Sequence, residues 1–246
     1  MAFQFLPFPN DVVLAKTAAA DWLKQLRLHA TKAPNRPYNV ALSGGRIAHS
    51  FFVEIVKQLA ASPVDLQNAF KQVHFFWADE RCVPPDDPES NYSVARQLLF
   101  EPLKVPQGQI HRLRGEGPEP LALREAVDDI VSAVPVSSGQ PVLDMIFLGT
   151  GEDGHVASLF PGESEAVMAD PAIYRVVTAV KLPPRRFTLG YGAIVAAANV
   201  WVLVSGAGKK ESLAESISPG GRTPLARVLR QRAQTVIYSD LEPAGR

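Results

Sequence analysis

Five histidines occur in the 246-residue sequence, and one stands apart. His155 closes the glycine-rich run Gly149-Thr150-Gly151-Glu152-Asp153-Gly154-His155, with two carboxylates within three residues. An unperturbed imidazole titrates near ~6.5, so a histidine beside a carboxylate suits general-base chemistry on water. A local reading also fits the spacing: Asp153 can cap the next turn through the backbone of His155 or Val156. His29 lies on a predicted helix, and His74 and His111 lie in or beside strands, where structural roles fit better. His49 lies near a helix start.

Three more clusters carry chemistry-bearing residues. Ser43-Gly44-Gly45-Arg46 is a glycine turn feeding a helix, where free backbone N–H groups can hold an anion such as phosphate. Glycine pairs in such places also serve as plain tight turns. Asp79-Glu80-Arg81 follows a strand directly, either as a solvated charge run or as a functional loop. Cys82 follows, and the Arg81 guanidinium could lower its pKa. No histidine accompanies it in sequence, so a structural thiol is the better reading. Gly206-Ala207-Gly208-Lys209 opens another helix, with Lys209 or Lys210 as a phosphate clamp or a surface lysine. Lys181, Arg185 and Arg186 add cations in a proline-containing segment.

Several chemistries lack their patterns. No Gly-Lys-Ser/Thr completes a Walker loop, and no Gly-x-Ser-x-Gly elbow is present. Gly149, Gly151 and Gly154 match a dinucleotide fingerprint only in spacing. No helical apolar pattern begins there, and Glu152 and Asp153 would repel a pyrophosphate. No paired-histidine helix supports a metal site, so none is expected.

These clusters need elements that bring them to one place. Helical spacing covers Asp11 to Lys32, with Asn10 or Asp11 as N-cap. Helices are also predicted at about 48–61, 90–99, 120–133, 193–198 and 209–217. Strands are predicted at 38–42, 73–77, 142–148, 174–180, 200–204 and 235–238. This alternation predicts one Rossmann-like α/β domain over 1–246, with a mainly parallel sheet covered by helices on both faces. The four clusters then sit as loops at strand carboxyl ends and converge on one rim.

The charge arithmetic limits the partners. Lys plus Arg number 25 and Asp plus Glu number 25, so the net charge is zero. A neutral chain lacks the basic field of a nucleic-acid binder. The single cysteine precludes an internal disulfide and suits a reducing compartment. The longest apolar stretch, Ala193 to Val204, is too short to span a membrane. The opening MAFQFLPFPND does not read as a signal peptide, so a soluble cytoplasmic protein is expected.

Two long stretches then carry a resemblance. Gly149 to Gly162, ending Val156-Ala157-Ser158-Leu159-Phe160-Pro161-Gly162, closely resembles the signature loop of 6-phosphogluconolactonases. Trp77-Ala78-Asp79-Glu80-Arg81-Cys82-Val83-Pro84 with Ser90-Asn91-Tyr92 resembles their second signature. Ala41-Leu42-Ser43-Gly44-Gly45, the Lys181 to Leu189 segment and Gly206-x-x-Lys209 are also similar, so the likeness spans about 40–215 and, more weakly, reaches Asp240. Sister deaminases share the Asp-Gly-His core but tend to run on toward Asn-Glu-Pro-Gly and to carry Asp-Glu-Tyr; Ser158 to Gly162 and Asp79-Glu80-Arg81 favour the lactonases.

The resemblance implies hydrolysis of 6-phospho-D-glucono-1,5-lactone, with no cofactor and no metal. It implies catalytic roles for His155, Asp79, Arg81 and Asp153. It implies substrate contacts from Ser43, Gly44, Gly45, Arg46, Asn91, Gly154, Lys181, Arg186 and Lys209. Asp79 is expected to hold Arg81 or a sugar hydroxyl, and Glu152 or Asp153 to orient the ring or the loop. The expected partner is a small phosphorylated sugar lactone, with no nucleic acid or membrane, bound by a monomer or small homo-oligomer. One departure stands out: the phosphate loop usually continues with Ser/Thr and Thr-Pro, where this chain has Arg46-Ile47-Ala48. Arg46 would then replace two hydroxyl donors with a charged one.

Overall fold

The computed structural model describes residues 3–242. Strand β1 (Gln4–Pro7) leads into helix α1 (Asp11–Lys32). The Asn10 side chain caps α1 by accepting from the Val13 amide. Leu14, Ala18, Trp22 and Leu26 form a stripe on the buried face of α1. Next come β2 (Tyr38–Leu42), α2 (Arg46–Ala60), α3 (Val64–Phe70), β3 (Val73–Trp77) and β4 (Asp79–Arg81). Helix α4 (Asn91–Ala95) widens through a π-turn into α5 (Glu101–Leu103), and α6 (Glu119–Ala133) follows. The second half holds a small hairpin of β5 (Val136–Ser137) and β6 (Gln140–Pro141), then β7 (Met145–Leu148) and α7 (Glu165–Met168). Strands β8 (Tyr174–Thr178) and β9 (Arg185–Leu189) precede α8 (Tyr191–Ala196) and β10 (Val200–Val204). The described chain closes with α9 (Lys210–Ile217), α10 (Pro224–Gln231) and β11 (Val236–Ser239).

Six strands form an all-parallel sheet in the order β1-β11-β10-β7-β2-β3. Strands β2, β7 and β10 are buried along their whole length, as expected of a sheet covered on both faces. Trp22 anchors one cover, edge-on to Phe147 of β7 at 5.6 Å between ring centroids. The strand order reverses between β2 and β7. Their carboxyl ends therefore part into a crevice, the usual ligand position in such sheets.

Two expectations change here. Asp79-Glu80-Arg81 is a strand, not a loop, and 174–180 does not join the parallel sheet. β4, β9 and β8 form a separate antiparallel sheet, with Arg81 opposite Arg186 and Val176 opposite Phe187. The pairing of β8 with β9 across the Pro183-Pro184 turn captures the 174–178 segment locally. The chain passes from one sheet to the other through Ala78. Its N–H donates to Leu42 O at 2.8 Å, and its carbonyl accepts from Leu189 N–H at 2.7 Å.

Candidate active site

The histidine loop leaves β7 and folds back on itself. His155 N–H donates to Asp153 Oδ1 at 3.1 Å, and its Nδ1 lies 2.6 Å from the same oxygen. Asp153 therefore both caps the backbone turn and pairs with the ring. In the neutral ring a carboxylate at Nδ1 favours the tautomer with its hydrogen there and the lone pair on Nε2. Gly151 makes room, because a Cβ at that position would lie 2.1 Å from His155 Nδ1. Phe160 flanks the imidazole at 5.0 Å between centroids. Gly154 contributes backbone, its carbonyl accepting from Leu225 N–H at 3.2 Å.

The loop is docked on the second sheet. Ser158 N–H donates to Thr188 Oγ1 at 3.1 Å, and Ser158 Oγ donates to Asp79 Oδ2 at 2.8 Å. Asp79 is buried and also meets Asn91, whose amide donates to the Asp79 carbonyl at 2.9 Å and lies 3.4 Å from its Oδ1. It does not hold Arg81, as the sequence reading allowed. Arg81 Nη1 turns instead to Glu89, bonding its carbonyl and lying 3.4 Å from its carboxylate. Asn91 in turn abuts Gly44, where a Cβ would lie 1.9 Å from Asn91 Oδ1.

Glu80 received no role from the sequence and proves to be a hub. Its buried carboxylate accepts from Arg81 N–H at 2.6 Å, Tyr92 N–H at 2.7 Å, Asn91 N–H at 2.8 Å and Ser90 Oγ at 3.0 Å. Burial pushes its carboxyl up to about 7, against these four donors that favour the charged form.

The cation side gathers around the α2 N-terminus. Gly45 is its N-cap and offers no side-chain cap; Ala48 N–H donates to Gly45 O at 3.1 Å, and the Arg46 and Ile47 amides ahead of it stay open. Arg46 lies near enough for its charge to act on Lys209, as do the carboxylates of Asp240 and Glu152, and neither cation forms an ion pair or side-chain hydrogen bond among the described residues. Burial, then the Arg46 charge, lowers the Lys209 pKa. Ser43 Oγ and Thr150 Oγ1, past the ends of β2 and β7, are buried without a partner among the described residues. Thr150 carried no separate signal in the sequence.

Arg186 is buried, donating to Pro183 O at 3.2 Å and Lys181 O at 3.3 Å. Its guanidinium lies 5.8 Å from the Phe160 ring centroid, and burial followed by the Arg81 charge lowers its pKa. Its neighbour departs from expectation. On β9 successive side chains point oppositely, so Arg185 faces outward and pairs with Glu119. Burial and then the Glu119 charge push the Cys82 thiol up to about 11, opposite to the lowering that Arg81 suggested.

A cavity of about 100 Å³ is lined by Ser43, Gly44, Gly45, Asp79, Arg81, Asn91, Thr150, His155, Arg186 and Lys209, among others. It adjoins a groove of about 1410 Å³ that shares Gly45, Arg81, Thr150, His155, Arg186 and Lys209 and adds Arg46, Asp153, Lys181 and Arg175. Lys181 thus belongs to the outer groove and not to the inner cavity. Among the described residues no cluster of three or more metal-ligating side chains forms, and no helix is long and apolar enough to cross a membrane.

Residues 9–237 match the family of glucosamine-6-phosphate isomerases/6-phosphogluconolactonase. A 6-phosphogluconolactonase of Aggregatibacter actinomycetemcomitans is 35% identical over 213 residues, covering 85% of this chain and 88% of that one. One of Haemophilus influenzae is 42% identical, but the alignment spans only 53% of each chain. The solved 6-phosphogluconolactonase of Trypanosoma brucei superposes with a TM-score of 0.81 at 25% identity, covering 96% of this chain and 95% of that one. The crevice between β2 and β7, the Asp153–His155 pair and the two neighbouring cations thus occur on a shared architecture, and the chain belongs to the glucosamine-6-phosphate isomerase/6-phosphogluconolactonase family.

Proposed function

We propose that the protein hydrolyses 6-phospho-D-glucono-1,5-lactone to 6-phospho-D-gluconate, the lactone-opening step of the oxidative pentose phosphate pathway, as one lactonase domain. The observation that carries this reading is that His155, paired through Nδ1 with Asp153, lines one crevice with Arg46 and Lys209, two cations that form no ion pair among the described residues. The open amides of Ser43 to Arg46 and the Lys209 ammonium hold the phosphate. Arg186 extends this positive wall beside Phe160. Anchoring the phosphate places the lactone carbonyl beside His155.

His155 Nε2 takes a proton from water as the water oxygen bonds to the carbonyl carbon. The resulting imidazolium is stabilised by Asp153 at Nδ1. The tetrahedral intermediate collapses, the ring C–O bond breaks, and the departing ring oxygen takes the proton back from Nε2. The products are a carboxylic acid, which ionises, and a free hydroxyl. Arg81 and Arg186 line the cavity as candidates for the oxyanion. Asp79 acts through Ser158 and Asn91, orienting the loop that carries the base.

The test is lactone hydrolysis above the spontaneous background, with and without a chelator, beside ammonia release from glucosamine 6-phosphate. Catalysed lactone opening that a chelator leaves unchanged is expected, with no ammonia. Ammonia release without lactone turnover would replace this reading by deaminase-isomerase chemistry. Ligand-induced thermal stabilisation without either activity would replace it by a binding module.

A further inference from the structure

The turn that carries Lys209 is held from a point outside the cavity. Asp240 follows β11, and its N–H donates to Val204 O at 3.3 Å. One carboxylate oxygen accepts from Ser205 Oγ at 2.7 Å, and the other accepts from Gly206 N–H at 3.3 Å. The Gly206 carbonyl then accepts from Lys209 N–H at 3.0 Å. On the far side, Ser212 Oγ lies 3.2 Å from Lys209 O and 3.0 Å from Gly151 O, which ties the turn to the histidine loop. Gly206 itself sits at φ +105°, so the turn is intrinsically permissive and needs an external restraint to stay in one shape.

We propose that Asp240 is a positioning residue for substrate binding, pinning Ser205 and Gly206 so that Lys209 projects toward the phosphate. The inference rests on the reading of Lys209 as a phosphate ligand. Without Asp240, a turn of Gly-Ala-Gly-Lys regains freedom that each binding event must remove. The loss then appears in binding far more than in the chemical step at His155.

Asp240→Ala, Asp240→Asn, Lys209→Ala and the Asp240→Ala/Lys209→Ala double variant test it. Each is measured for kcat, KM, competitive inhibition by inorganic phosphate, and Tm. Asp240→Ala should raise KM and the phosphate inhibition constant together by about ten-fold, with a much smaller fall in kcat. Asp240→Asn keeps an acceptor for Gly206 N–H and a partner for Ser205 Oγ, so it should recover most of that loss. The double variant should be no weaker than Lys209→Ala alone, because both act through one ammonium.

If Lys209→Ala raises KM while Asp240→Ala leaves it unchanged, the positioning role is wrong and the phosphate reading stands. Losses that add fully in the double variant also overturn it, since Asp240 would then act elsewhere. An unchanged KM in Lys209→Ala removes the phosphate reading and this inference with it. Should Asp240→Ala unfold, Ser205→Ala removes one of the two bonds and should raise KM by a smaller factor; no rise would count against the proposal.

Discussion

At the scale of single residues, the site depends on who faces whom, and that defines what each substitution should do. His155→Ala removes the proposed base and should lower kcat by about 10²- to 10⁴-fold, read against the spontaneous rate. Gly151→Ala should have much the same signature without touching the histidine, because its Cβ would displace the imidazole from 2.1 Å away. Its kcat should fall at least about ten-fold while Tm barely moves, since a misplaced reacting group alone can lose that much. Lys209 carries a pH signature. Its lowered pKa means that it sheds its proton sooner than an ordinary lysine as pH rises, so phosphate affinity should fall earlier on the alkaline side. Lys209→Arg should delay that fall. Part of this was legible in the sequence: the Asp153–His155 pairing is local and follows from spacing alone. Asp79 shows the opposite case, because its partner Ser158 lies 79 positions away and no local pattern joins them.

At the scale of elements, β4 is where the sequence misled. Three charged residues in a row carry no apolar alternation, so Asp79 to Arg81 read as a solvated run or a loop. In the structure Asp79 and Glu80 are buried, and pairing with β9 makes the run a strand. The same strand logic separates Arg185 from Arg186, adjacent cations that segment composition alone could not distinguish. Helix α3 and strand β1 were too short to register against the longer patterns around them.

Glu80→Gln tests how much β4 depends on its carboxylate. An amide NH2 brings two donors where a protonated carboxyl brings one, and about 3 kcal/mol of stability should be lost below pH 4.5, measured by urea unfolding. The folded pKa of about 7 lies above the ordinary 4.5, so between those values the folded state keeps a proton that the unfolded chain has shed. This contribution to stability is therefore complete below about 4.5 and is lost as pH rises through about 7. The stability gap between wild type and Glu80→Gln should narrow over that window.

At the scale of the whole molecule, a chain with zero net charge concentrates cations at one crevice. Arg46, Arg81, Arg186 and Lys209 meet the ligand space, and Lys181 stands at its outer edge. Such a local field acts over about one Debye length, ~10 Å at 0.1 M salt. Raising ionic strength should therefore increase KM several-fold with kcat nearly constant, and a kcat that fell in parallel would contradict the local-field picture. The Ala78 crossover has a consequence for substrate choice. One residue is hydrogen-bonded through its N–H to the sheet whose rim carries the cations and through its carbonyl to the sheet that docks the histidine loop. The span from the proposed anion seat to the proposed base is thereby held like the jaws of a gauge. A lactone one carbon shorter between phosphate and carbonyl should reach only one jaw at a time, and the enzyme should sort its substrates by length.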